Sequence, residues 1–231
     1  DQFEMSGVQC SLRFSYKERV VESFNHYYWI NEGYPTIWLQ YCRGINGFWN
    51  GQFDYNKITA RFQYYFQTKR LGIANFTIDA GWIDANLPSS ELFAGRSSYA
   101  PLGLNSPYSF QTMRSNEFMN SELASLFWLQ DLQRSFFRIG KFQPNIQLAT
   151  NVGWGILNHP EAHQQSTFTD MHKVYTESGV VANNIIAKKI GGVVRFGAGA
   201  SLFYRYGSYH YHMKLIIFHS SFPGVTTSIR K

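Results

Sequence analysis

The sequence predicts an all-β fold, a transmembrane antiparallel β-barrel of about ten strands, on three observations. Apolar residues recur with a period of two along much of the chain. Several alternating stretches run to ten residues or more, the length a membrane-crossing strand needs rather than the five or six of an ordinary one. Short and long connections between them tend to take turns, as in barrels with short periplasmic turns and longer outer loops.

The first element, "VQCSLRFSY" at 8–16, sets Val8, Cys10, Leu12, Phe14 and Tyr16 on one side and Gln9, Ser11, Arg13 and Ser15 on the other. "NKITARFQYYFQT" repeats the pattern, with Ile58, Ala60, Phe62, Tyr64 and Phe66 opposing Lys57, Thr59, Arg61, Gln63, Tyr65 and Gln67. So do "ANFTIDAGW" (Ala74 to Trp82), "NIQLATNVGW" (Ile146, Leu148, Val152, Trp154) and "VRFGAGASLFYRY" (Val194 to Tyr206). Strands are expected near 7–16, 20–30, 36–44, 53–68, 72–84, 118–130, 145–154, 172–184, 192–206 and 211–222. Only 117–138 carries a trace of helical spacing. The face opposite the apolar one is small or polar, which suits a wet lumen better than a packed core.

"NEGYP" (31–35), "TKRLG" (68–72) and "IIAKKIG" (185–191) read as short turns, and 45–52, 85–117 and 155–171 as long loops. With ten strands in this alternation, both termini face the periplasmic side.

Composition agrees. Aromatics make up 18% of the 231 residues (20 Phe, 15 Tyr, 6 Trp), and Tyr and Trp suit a boundary between oil and water. The charge is +6 from 21 Lys+Arg and 15 Asp+Glu, scattered rather than clustered, so nucleic acid is not an expected partner. No run of apolar residues is long enough for a membrane-spanning helix. Two cysteines, Cys10 and Cys42, give neither a disulfide framework nor a metal motif; their pairing is left open.

The charged residues within strands form the main candidate site. Arg13, Arg61, Asp79, Glu122, Glu177, Arg195 and Arg205 are assigned to the lumen as a charge ladder, because charge facing lipid costs several kcal/mol near the midplane. The ladder either stiffens the interior or forms a selectivity or plug-contact surface. Tyr16, Trp29, Tyr34, Trp82, Trp154, Tyr204 and Tyr206 are assigned to the membrane interface, together with Trp49 and Tyr55. Small residues in "GAGAS" (197–201) would let neighbouring strands or a plug approach closely.

No catalytic residue, cofactor or metal is expected. "HYH" (His210, His212) with His219 lacks the spacing of a zinc motif, and there is no Gly-x-Ser-x-Gly elbow. Asp79, Asp170, His159, His163 and His172 supply acid and histidine near the outer side, but nothing in their spacing selects a pair.

Five stretches, "YPTIWLQYCRGINGF" (34–48), "FDYNKI" (53–58), "RLGIANFTIDAGWI" (70–83), "MRSNEFMNSELASL" (113–126) and "VYTESGVVANNI" (174–185), occur in an order that resembles a known family. It is the C-terminal barrel region of Bacteroidota outer-membrane proteins that carry an N-terminal carboxypeptidase-regulatory-like domain, a family of unknown function. The resemblance implies a surface-antigen-like barrel, and that residues 1–231 are the C-terminal part of a longer protein and of a larger barrel. The nine residues after Phe222 depart from the pattern, since such barrels end on a terminal aromatic.

The expected function is a non-enzymatic scaffold, pore, or assembly or transport component of a complex in the cell outer membrane. Its partners would be outer-membrane lipid and lipopolysaccharide, with other outer-membrane or periplasmic proteins. Two alternatives stand beside it: a barrel enzyme with a rim active site, and a soluble β-barrel binding an apolar ligand.

Overall fold

A computed structural model describes residues 3–23, 26–30, 33–98, 108–132, 144–162, 169–190, 194–209 and 212–223. Among the described residues thirteen strands are formed: β1 (Gly7–Ser15), β2 (Arg19–Ser23), β3 (His26–Ile30), β4 (Thr36–Gly44), β5 (Tyr55–Thr68), β6 (Gly72–Ile83), β7 (Phe93–Ala94), β8 (Met119–Asn120), β9 (Glu122–Asp131), β10 (Asn145–Ile156), β11 (Tyr175–Ile190), β12 (Val194–Gly207) and β13 (His212–Pro223). Nine of them make one sheet in the order β1-β4-β5-β6-β9-β10-β11-β12-β13, with every neighbouring pair antiparallel. Within 117–138, the described residues up to Leu132 hold β8 and β9 and no helix; 133–138 lie outside the described residues.

The antiparallel order separates two ends. Gly7, Gly44, Tyr55, Ile83, Ile156, Tyr175 and Gly207 lie at one, with the long connections 45–54, 84–121 and 157–174. Ser15, Thr36, Thr68, Gly72, Ile190, Val194 and Pro223 lie at the other, with the tight turn at 69–71. The turn closes on Gly72 at φ 81°, a left-handed conformation that glycine adopts without steric cost.

Three expectations are corrected. Residues 20–30 are not one strand of the sheet: β2 and β3 pair with each other as a separate hairpin. Nine strands rather than ten therefore share the sheet, which puts Gly7 and Pro223 at opposite ends instead of both at one. "IIAKKIG" is not a turn; its first six residues continue β11. Between Ala182 and Ile186, β11 takes four steps while β12 takes two, from Ala200 to Ala198. Such a bulge carries the strand past its polar residues and increases its bend.

The two faces of the sheet differ sharply. On β12, Ser201 and Phe203 are 1% and 2% exposed, while Leu202 and Tyr204 are 44% and 43% exposed. Thr77, Ser125, Asn151 and Glu177 are buried, whereas Ile78, Leu126, Leu148 and Val180 on the opposite parity are bare. The buried face is called inner here. It mixes polar residues with Phe127, Tyr175, Val181 and Phe203, and the outer face is apolar, whereas a water-soluble sheet exposes its polar side.

Toward the long-loop end, the inner face is not a wet lumen. The connection 84–121, described over 84–98 and 108–121, folds back across it. Tyr55, Ile83, Leu87, Leu92, Met119 and Leu157 form one buried cluster there. A second unites Phe110, Met113, Phe118, Phe127, Met171 and Tyr175. Glycine makes the room: a Cβ on Gly153 would stand 2.7 Å from the Phe110 ring, and one on Gly81 2.6 Å from the Phe93 ring. The polar face thus receives a strap whose own apolar side chains it buries.

Candidate functional site: the strap and the charges beneath it

Strand register gathers the predicted ladder into two groups. Arg13 lies opposite Trp38, Trp38 opposite Arg61, and Arg61 opposite Asp79, across four consecutive strands. Farther along, Asn151 lies opposite Glu177 and Glu177 opposite Arg205. Because each register step preserves side-chain parity, all of these point to the inner face.

In the first group Asp79 is the hub. Its Oδ1 accepts from Arg61 Nε at 2.6 Å, and its Oδ2 takes Arg96 Nη1, from the strap, at 3.2 Å. A hollow of about 350 Å³ lies beside them, lined by Trp38, Thr59, Arg61, Asp79, Phe93 and Arg96. Arg13 instead pairs with Glu18 past the end of its own strand.

The second group is built around Glu177, which is fully buried. Oε1 accepts the Gln111 backbone N–H at 2.6 Å and Asn151 Nδ2 at 2.8 Å. Oε2 accepts the Thr112 N–H at 2.9 Å and its hydroxyl at 2.6 Å. The Tyr175 hydroxyl also donates to Oε2, at 3.3 Å. A carboxylate with this many donors is compensated for its loss of water.

Arg205, directly opposite, does not pair with Glu177. Its two Nη atoms donate to Glu117 Oε1 of the strap, each at 2.9 Å. The guanidinium sits among the rings of Tyr175, Phe118 and Tyr209, with centroid distances of 4.6, 5.6 and 5.7 Å. Lys214 on β13 adds a third tie, donating to Gln111 O at 2.7 Å and Ser98 Oγ at 3.1 Å. Asp79, Glu177, Arg205 and Lys214 therefore clamp the strap, whereas Arg13 is tied to Glu18 and not to it. Glu117 and Lys214 were not singled out in the sequence: Glu117 lies in a loop, and Lys214 in a segment with weak alternation.

Two ladder residues fall elsewhere. Glu122 is on the outer-face parity of β9 at the long-loop end, opposite Trp82 and Ile156, where its carboxylate accepts from Asn158 Nδ2. The strand begins there, so the charge sits at the rim rather than in the lumen. Arg195 continues the parity of Ser201 and Arg205 and lies opposite Lys189, not Glu177; its side chain is outside the described residues.

The predicted interface aromatics divide between the two ends. Tyr16 and Tyr34 meet edge-on at 5.5 Å at the tight-turn end, with Lys17 Nζ 5.4 Å from both rings. At the long-loop end, Trp82 and Trp154 are bare on the outer face, and Tyr204 stacks near Tyr206 at 6.3 Å. Trp29 lies in β3, its side chain outside the described residues. Tyr55 is not an interface residue: it is buried beneath the strap, as its odd parity on β5 requires. Trp49 is 83% exposed in a loop. A band missed in the sequence runs Tyr64, Phe66, Phe76 and Trp128, with successive ring centroids 5.5 to 6.2 Å apart near the tight-turn end.

Among the acid and histidine candidates, Asp170 and His172 touch through Oδ1 and Nδ1, and His159 pairs with Glu161 at 3.0 Å. No hydrogen bond joins His172 to a serine, threonine or cysteine among the described residues. His163 and His210 lie outside those residues, as do the side chains of His212 and His219. Cys10 and Cys42 are free thiols on opposite faces: Cys42 lies opposite Gln9, and its sulfur is 3.8 Å from the Tyr55 hydroxyl.

Residues 2–83 match the C-terminal domain of a family of unknown function (DUF5686). No curated protein matches the chain. No solved structure matches it either.

Proposed function

We propose that the chain is a membrane-embedded β-barrel domain of the bacterial cell outer membrane, non-enzymatic, serving as a scaffold or assembly component of a larger complex. The observation that carries this reading is the bare apolar face. Ile78, Leu126, Leu148, Val180 and Leu202 are 36% or more exposed on one side of β6 and β9–β12, whose other side buries Thr77, Ser125, Asn151, Glu177 and Ser201. Water would penalise such a continuous surface, while hydrocarbon solvates it at no cost. Aromatic bands at both ends suit the two interfaces of a bilayer.

Lipid and lipopolysaccharide are the partners this face fits. The strap bound beneath Glu177 favours a scaffold over an open pore, because it covers the inner face where a conduit would run. An apolar ligand inside a soluble barrel is the poorer reading, since the buried face carries Asn151, Glu177 and Arg205 while the exposed face is apolar.

The sheet edges favour a larger barrel. β1 and β13 each have one partner within the sheet, and an odd number of antiparallel strands makes the two edges run the same way. Bacterial single-chain barrels are antiparallel and even-stranded, and open edges do not persist in hydrocarbon. Closure therefore takes an odd number of further strands from another segment of the polypeptide or from a partner.

A spin label on Cys10, with Cys42→Ser to leave one thiol, tests the reading in lipid bilayers. Cys10 sits mid-strand on the outer face, so dissolved oxygen should relax the label more than a water-soluble nickel chelate does. The opposite preference, or a chain monodisperse in plain buffer, would overturn the proposal.

A further inference from the structure

The connection 45–54 between β4 and β5 holds its tip in an uncommon backbone. Gly47, Trp49 and Asn50 take positive φ, at 78°, 41° and 61°. Glycine and asparagine accept that region, but a residue as bulky as tryptophan rarely does. Such strain persists only where the surroundings impose it, and it collects at ligand sites. Here the surroundings are explicit. Gly47 N–H donates to Gly51 O at 2.8 Å, and Gly51 N–H to Phe48 O at 2.9 Å. The Ser6 hydroxyl donates to Trp49 O at 2.9 Å, and Asp54 Oδ1 accepts the Asn46 N–H at 3.2 Å. Met5 and Phe53 pack against the buried cluster of Tyr55 and Ile83.

These bonds display the indole instead of burying it. Trp49 is 83% exposed, and Phe48 backs its ring, stacked at 4.9 Å and 20°. Asn46, Asn50 and Gln52, all exposed, bring amides to the same tip. Within 43–54 the only charges are Arg43 and Asp54, which lie 3.8 Å apart and cancel.

We propose that Trp49, backed by Phe48, is a stacking platform for a neutral pyranose unit of an oligosaccharide. The C–H face of the sugar packs on the indole, an apolar surface on an aromatic one. Sugar hydroxyls both donate and accept, and the amides beside the ring do the same. The absence of net charge argues against nucleic acid, whose phosphates need cations next to the stacking rings. A protein partner needs about 800 Å² and roughly 20–30 residues on each side, far more than this tip supplies. Position argues against lipid. Ser6, which holds Trp49, lies four residues beyond the level of Trp82, about 13 Å along the strands.

Calorimetric titration of the purified chain with cellohexaose, maltohexaose and mannohexaose tests this, with sorbitol as a polyol that has no ring. Plain buffer or an amine-oxide detergent carries the protein, so that no glycoside detergent competes. At least one saccharide should saturate by about 50 mM, the reach of millimolar affinity, and sorbitol should not. Trp49→Ala should weaken binding about tenfold, the scale of one stacking contact, and Trp49→Phe less. Neither should move the unfolding midpoint, because the side chain is exposed. Quenching of tryptophan fluorescence by brominated phospholipid in bilayers separates this proposal from the lipid-facing reading. Trp82 and Trp154 should be quenched, and Trp49→Ala should not reduce the quenched signal. No quenching at all would sink the lipid-facing reading and leave the sugar platform standing. A quenched signal that falls in Trp49→Ala would place the ring in the bilayer and overturn the platform. So would saturation by none of the three saccharides, equal binding of sorbitol, or undiminished affinity in Trp49→Ala.

Discussion

Glu177 holds Thr112 by both its backbone N–H and its hydroxyl, on the same oxygen, at 2.9 and 2.6 Å. One strand residue thereby fixes the strap by its main chain, independently of most of the strap's side chains. Glu177→Gln would replace an acceptor oxygen with an amide N–H₂ facing donors. Stranding a buried donor costs about 1–3 kcal/mol, so the unfolding midpoint should fall accordingly. The specific signature is local: amide exchange at Gln111 and Thr112 should accelerate more than exchange in β5 or β6. Equal acceleration everywhere would mean that Glu177 stabilises the sheet and not the strap.

The outline of the sheet was legible in the sequence because period-two alternation belongs to each strand alone. Leu202 and Ser201 show their faces without knowledge of any partner. What was illegible depended on contacts distant in sequence. Glu177 lies on the buried face of the sheet, and its partners Gln111 and Thr112 lie 66 and 65 residues away. Residues 20–30 alternate well enough for one strand, yet pair only with each other. "IIAKKIG" suggested a turn, whereas β11 continues beyond a bulge between Ala182 and Ile186 and sets Lys188 and Lys189 opposite Phe196 and Arg195. Tyr55 had the composition of an interface residue, and only the strap made it a core one.

Gly153 accommodates the strap from below. A side chain there would meet Phe110 Cζ at 2.7 Å and the Met171 sulfur at 3.4 Å. Phe110 is fully buried and packs on Phe127 and Tyr175, so it has nowhere to retreat. Gly153→Val should therefore cost about 1–3 kcal/mol by overpacking. Limited proteolysis should cut 108–121 faster while strand content, read by circular dichroism, is retained. An unchanged cleavage rate would show that the strap does not depend on this approach.

Asp84, just beyond β6, gives a pH test outside the strands. Burial tends to raise its pKa, but the backbone and side-chain N–H groups of Asn56 outweigh that and hold it below the ordinary carboxylate value. A depressed folded-state pKa stabilises the fold above the unfolded value, and the benefit is lost as pH falls through the folded one. Asp84→Asn should thus lower the unfolding midpoint near neutrality. The difference should begin to shrink below about pH 4, the unperturbed aspartate range, and vanish at more acid pH. A gap constant with pH would assign the effect to shape and not to charge.

Leu202 and Ser201 are neighbours on β12 with opposite surroundings, and an arginine at Leu202 separates water from lipid as the outer medium. If water bathes the outer face, Leu202→Arg replaces an exposed leucine with a well-hydrated cation, and such surface changes usually stay within about 0.5 kcal/mol. If hydrocarbon does, arginine near the midplane costs about 2–4 kcal/mol and progressively less toward the ends. Leu202 lies opposite Val180 and Leu215, well inside the strand, so the larger figure applies. Tyr206→Arg, nearer the long-loop end of the same strand, should cost markedly less. Denaturant unfolding from lipid vesicles measures both, and the depth dependence is the decisive quantity. Equal and small costs at the two positions would mean that the outer face meets water or another protein surface.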